Sequence, residues 1–103
     1  MVAKKKIVRL VAIHPGEFLR EDFLKPLSLS VNALAMALHV PATRISEIVN
    51  ERRGITTDTA LRLGRYFGTT PDFWINMQAA YELAIGEDKL LTKIEKEVQR
   101  RVA

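Results

Sequence analysis

Residues 30 to 50 read SVNALAMALHVPATRISEIVN. Ser30 is a good N-cap, and Val31, Leu34, Ala35 and Leu38 follow it at the i, i+3, i+4, i+7 spacing of a buried face, which predicts a helix over 31–38. Pro41 suits the first turn of a second helix over 41–49, with Ile45, Ile48 and Val49 facing inward. Only His39 and Val40 stand between the two. Two short helices that cross so tightly need a small residue where they approach, and Ala35 occupies that place. Leu34, Leu38, Val40, Ile45 and Ile48 supply the apolar contacts that fix the angle. This is the pattern of a helix-turn-helix, whose second helix enters a major groove about 12 Å wide while the first crosses the backbone. The outward positions Ala42, Thr43, Arg44, Ser46 and Glu47 are short or polar, so the helix can seat deeply, and Arg44 reaches a guanine edge or a phosphate. Tight helical hairpins also occur in bundles that touch no DNA, and spacing alone leaves that alternative open.

The flanks read as further helices. Pro15 opens a helix over 15–24 that sets Phe18, Leu19 and Phe23 on one side before Pro26. Thr57 followed by Asp58 is a start signal with an acid in the first turn, Ala60, Leu63, Gly64 and Phe67 form the inner stripe, and Gly68 supplies the left-handed residue that ends it. Thr70, Pro71 and Asp72 repeat the start signal for a helix over 71–84. Its apolar face is Phe73, Trp74, Met77, Ala80 and Ala84, and it ends near Gly86. Trp74 reads as core, because buried aromatics dominate small interiors. Beyond Glu87, a narrow stripe of Leu91, Ile94, Val98 and Val102 is too small for a core of its own and needs a partner surface. Ile7 to Ile13 is the odd piece: six of its seven residues are apolar, which suits a strand or extended arm. The chain thus divides into an arm over 1–13, a helical domain over 14–86 and a helical tail over 87–103.

At 103 residues, 48% hydrophobic and 27% charged, the chain has the balance of one small globular domain. The absence of cysteine excludes disulfides and thiolate-held metals, and His14 and His39 lie too far apart for a zinc-peptidase motif, so no metal and no cofactor is expected. No nucleophile–base pair or phosphate loop is visible, which makes an enzyme the weakest reading. The net charge of +4 raises the expectation of a polyanionic partner. Its placement matters more than its sum. Lys4, Lys5, Lys6 and Arg9 give the arm a local excess, whereas between the arm and the tail acids slightly outnumber bases. A uniformly basic coat is excluded, and a basic arm with local patches such as Arg44, Arg52, Arg53, Arg62 and Arg65 remains. No apolar run reaches the roughly 18 residues that span a membrane, Arg9 interrupts the early apolar stretch and no cleavage signal follows it, so a cytoplasmic protein is expected.

Three motifs, HPGEFL at 14–19, RISEIVN at 44–50 with RRGIT at 52–56, and TALRLGRYFGTTPDFWINMQ at 59–78, carry a further inference. From His14 to about Leu83 the chain closely resembles the HigA-type, or VapI-like, antitoxins of the lambda-repressor-like XRE family. The resemblance implies an all-α, five-helix DNA-binding domain, here with a C-terminal helical extension and a short extended N-terminal arm. It further implies a homodimeric repressor that binds a double-stranded operator, represses its own operon and neutralises a HigB-like toxin, a RelE-like enzyme that cleaves messenger RNA. Carried over residue by residue, it makes Ala42, Thr43, Arg44, Ser46, Glu47 and Asn50 the base-facing set and Ser30, Asn32, Arg52 and Arg53 the phosphate contacts. Glu17, Glu21 and Asp22 form an acidic patch suited to a basic toxin, though acids also gather at helix starts for dipole reasons. The tail stripe of Leu91, Ile94 and Val98 is the expected dimer contact. Two positions depart from the family pattern: His39 replaces the usual turn glycine, and Glu51 stands where relatives often have glycine. A stand-alone regulator without a toxin, or an interaction module without DNA affinity, would share much of this sequence.

Overall fold

The computed structural model describes residues 13–102, and five helices account for its regular structure. Helix α1 spans Pro15–Leu19 and continues without a break into a π-helical turn, Arg20–Leu24. Helices α2, Val31–Leu38, and α3, Ala42–Val49, form the tight pair. Helix α4 is Thr57–Phe67 and α5 is Pro71–Glu97. There is no strand among the described residues. The extended arm expected at the start lies, apart from Ile13, outside them.

Capping residues set most of the helix starts. Nδ1 of His14, Oγ of Ser30, and Oγ1 of Thr56 and Thr70 each accept a first-turn amide proton of α1, α2, α4 and α5 respectively, as unpaired helix N–H groups require. The α4 cap is therefore Thr56, one position before the residue that the sequence suggested. At the other end, His39 and Gly68 take the left-handed conformation that stops α2 and α4.

The core forms where the inner stripes of the five helices meet. Leu19, Leu34, Ile45, Ile48, Leu63 and Trp74 are fully buried, and Ala35 on α2 is buried with them. Phe18, Phe23 and Phe73 pack around Trp74, with Phe67 stacked behind Phe23, and the Trp74 indole N–H donates to Oγ1 of Thr69 at 2.8 Å. A buried indole needs such a partner, so Trp74 is anchored at both its apolar and its polar end.

Helix α5 does not stop at Gly86. It runs on for 27 residues in all, because a single glycine costs a helix interior only about 1 kcal/mol, which the surrounding run of Leu, Lys and Glu can offset. At 1.5 Å per residue the rod is about 40 Å long. It explains a radius of gyration of 16.6 Å, against roughly 12 Å for a compact chain of this size. Only its first half is packed: Trp74, Gln78 and Ala84 are buried, while Leu83, Leu90 and Ile94 are exposed.

Candidate nucleic-acid interface

The second helix of the pair is held from three sides. Along its inner face, Ile45 and Ile48 are fully buried against the core. At its C-terminus, the last four carbonyls all have partners, as a helix end requires. Ser46 O accepts from Asn50 N, Glu47 O from Arg52 N and Ile48 O from Glu51 N. The last, Val49 O, accepts from the guanidinium of Arg20, the first residue of the π-helical turn after α1. Gly16 brings the first turn of α1 against the same end, so close that a Cβ there would lie 1.6 Å from Ile48 O. At the N-terminal end, Arg44 Nη1 donates to Asp58 Oδ2 on α4 at 2.6 Å.

His39 has φ 57° and Glu51 has φ 62°, so both departures from the family's glycine pattern sit where the backbone is left-handed. For a residue with a Cβ that conformation costs on the order of 1 kcal/mol. Glu51 turns back toward α1, with Oε2 3.6 Å from Arg20 Nη2.

The base-facing set expected from the sequence lies on one exposed to half-exposed flank of α3. Ala42, Thr43 and Asn50 are exposed, and Arg44, Ser46 and Glu47 are partly so. Four of these side chains have partners within the chain, the Ser46 hydroxyl through a 3.5 Å contact from Asn50 Nδ2. Arg44 is bonded to Asp58, Glu47 is paired with Arg53, and Asn50 Nδ2 folds back to donate to Ser46 O at 2.8 Å. Of the phosphate set, Ser30 is occupied as the α2 cap, with Oγ 3.0 Å from Ala33 N. Asn32, Arg52 and Arg53 are exposed, and Arg52 makes no ion pair among the described residues. Helix α3 itself has Pro41 as its N-cap and no side-chain cap, and in its first turn Arg44 N donates to Pro41 O at 3.0 Å.

The electrostatics follow from these pairs. Asp58 receives Arg44 and also Arg62 Nε at 2.9 Å on the same oxygen, and those two hydrogen bonds hold its carboxyl below the usual range. Glu21 is lowered by Lys25 first and Arg20 second, so of the acidic patch Glu17, Glu21 and Asp22, the middle member is already neutralised. Burial lowers the His14 imidazole below its ordinary value, against the opposing pull of Glu51 and Glu17. The expected dimer residues Leu91, Ile94 and Val98 lie on the projecting half of α5 or just past its end, and Leu90 and Leu83 extend their stripe.

Three residues that organise this surface were not singled out by the sequence: Arg20, His14 as a cap, and Gln78. The Gln78 carbonyl accepts from Ile55 N at 2.8 Å and its amide donates to Glu82, which ties the loop after α3 to α5. An acid-rich first helix with one arginine was the only signal for Arg20.

A helix-turn-helix family model matches residues 21–74, which run from the π-helical turn after α1 through the α2–α3 pair and α4 to the start of α5. The chain belongs to that family. Its relatives there include virulence-associated proteins, a HigA antitoxin and HTH-type transcriptional regulators. Virulence-associated protein I of Dichelobacter nodosus is 64% identical over 76 residues, 74% of this chain and 70% of its own length. Antitoxin HigA-1 of Vibrio cholerae is 37% identical over 71 residues, 69% of this chain and 67% of its own. Among solved structures, the Pseudomonas aeruginosa antitoxin HigA with the higBA promoter superposes with a TM-score of 0.85 at 46% identity, covering 88% of this chain and 99% of that one. This helix-turn-helix family is one of DNA-binding regulators and not of enzymes.

Proposed function

We propose that this HigA-type helix-turn-helix protein is a homodimeric repressor that inserts α3 into the major groove of an operator and doubles as the antitoxin of a HigB-like, RelE-type toxin. The observation that carries the DNA half is the single flank of α3, left outside the core while the opposite flank is locked by Ile45, Ile48, Gly16 and Arg20. A rod fixed in this way presents its polar residues at a defined depth, which groove recognition requires. Arg44 reads a base, with Thr43, Ser46 and Ala42 lining the contact. Arg52 and Arg53 grip phosphates together with Ser30 and Asn32 at the start of α2. The similar Pseudomonas aeruginosa antitoxin with its promoter supports the same use of this fold.

Two recognition helices about 34 Å apart require a dimer. The stripe of Leu83, Leu90 and Ile94, continued by Val98 and flanked by the half-buried Leu91, is left exposed by the described residues, and we assign the dimer contact to it. Glu17 and Asp22, both exposed, are assigned to the basic toxin. The DNA half is tested by a mobility-shift titration with duplex taken from upstream of the gene. Affinity should fall steeply with salt, and Arg44→Ala should cost roughly 1–3 kcal/mol of operator binding. Unchanged binding by that variant would contradict the assignment of α3. Copurification with the product of the adjacent gene tests the toxin half; a partner that binds as well after Glu17→Lys and Asp22→Lys would contradict the acidic assignment.

A further inference from the structure

Arg44 is not free to swing. Its guanidinium is bonded to Asp58 at 2.6 Å, and Asp58 is in turn bonded to Arg62 at 2.9 Å. Arg62 places a second nitrogen, Nη1, 2.8 Å from Leu38 O, the final carbonyl of α2. The four groups form one polar chain from the end of α2, through α4, to the first turn of α3. An exposed ion pair between two free side chains adds little stability, because both lose rotamer freedom to form it. Here one end of the chain is backbone, so the carboxylate has a fixed position before Arg44 reaches it.

We propose that Asp58 is a specificity-determining residue that acts through Arg44. It occupies Nη1 of the guanidinium and thereby aims the remaining donors outward. It is a positioning residue and touches no base itself. This inference rests on the DNA-binding reading above and deepens it.

The physical argument is the difference between the two kinds of acceptor on DNA. A guanine edge offers two acceptors in a plane, which a guanidinium already held in one orientation meets without further loss of freedom. A phosphate can be met by a guanidinium from many directions, so it depends less on that one orientation than a guanine edge does. It is also repelled by the carboxylate beside the arginine. Pre-ordering therefore helps the specific complex more, and the negative charge weakens the non-specific one, so the ratio of the two affinities rises. The arrangement differs from a simple mask on the arginine, which would lower both affinities and leave their ratio no better.

The test is Asp58→Asn in the full chain, titrated against the upstream duplex and against a scrambled duplex of equal length over a range of salt. The substitution keeps the shape and the α4 first turn and removes the charge. Binding to the scrambled duplex should tighten about two- to fivefold, as for the release of an exposed pair, with a salt slope steeper by about one ion. Binding to the upstream duplex should not tighten by as much, so the ratio falls. In an Arg44→Ala background the same substitution should leave the ratio unchanged. Parallel weakening on both duplexes with a lower melting temperature would reduce Asp58 to a structural brace and overturn the proposal, as would parallel tightening with a constant ratio. If wild-type protein does not distinguish the two duplexes at all, the DNA-binding reading fails first and takes this inference with it.

Discussion

Single residues decide how tightly the helix pair is set. His39 and Glu51 both hold left-handed backbone without being glycine, and they bracket α3 at its two ends. His39→Gly should relieve that conformation and raise stability by about 0.5 kcal/mol, less than the full left-handed penalty because glycine also loses more freedom on folding. A shift in the urea midpoint at constant slope measures it. Glu51→Gly should gain less, since it also gives up the contact to Arg20. His14 predicts a pH effect. Its cap to Gly16 N needs an unprotonated Nδ1, and burial lowers its pKa in the folded chain. The unfolded chain then binds the proton more readily. The contribution is fully present above the ordinary histidine value of about 6.5 and is lost as the pH falls below it toward the lowered folded value. Asp58 and Glu21, held low by their partners, lose their contributions only in the more acid range below ordinary carboxylate values. Melting temperature should therefore drop from pH 7 to 5, and His14→Asn, which keeps an acceptor at the cap, should flatten that drop. An equal drop in the variant would assign it elsewhere.

Between elements, close approach matters more than apolar area. Gly16→Ala would drive a methyl into the Ile48 carbonyl, backbone that cannot give way, and should cost at least about 2–3 kcal/mol while displacing the end of α3. Chemical denaturation reads the stability and an operator titration reads the displacement. Gln78→Leu leaves Ile55 N–H buried without its acceptor and should cost about 1–3 kcal/mol. These contacts explain what the amino-acid pattern could and could not convey. The α2–α3 pair, the inner stripes and Gly68 were legible because each depends on residues within one or two turns of one another. Arg20 and Val49 are 29 positions apart, Gln78 and Ile55 are 23 apart, and each pair joins a side chain to a backbone group that carries no side-chain signature. Asp58 read as a first-turn acid favoured by the helix dipole, which it is, and its second role toward Arg44 depends on how α3 and α4 cross. Gly86 read as a terminator because glycine usually punctuates helices, yet the strong helix formers on both sides carry α5 through it.

For the whole molecule, the decisive feature is a rod half packed and half projecting. Leu83, Leu90 and Ile94 form an apolar stripe that is exposed among the described residues. Truncation after Gly86 should keep the core, whose residues all precede it, and abolish the dimer. Sedimentation should then give a folded monomer with weaker, non-cooperative DNA binding, and a dimer of unchanged stability would place the contact on another surface. The central claim is that α3 is the element that enters DNA. An amide chemical-shift titration of the full chain with the upstream duplex tests it most directly. The largest changes should fall on Ala42 to Asn50 and on Arg52 and Arg53, with Asn32 and Asp58 following. Shifts confined to α5 or to the outer face of α1, with Ala42 to Asn50 unmoved at saturation, would contradict it.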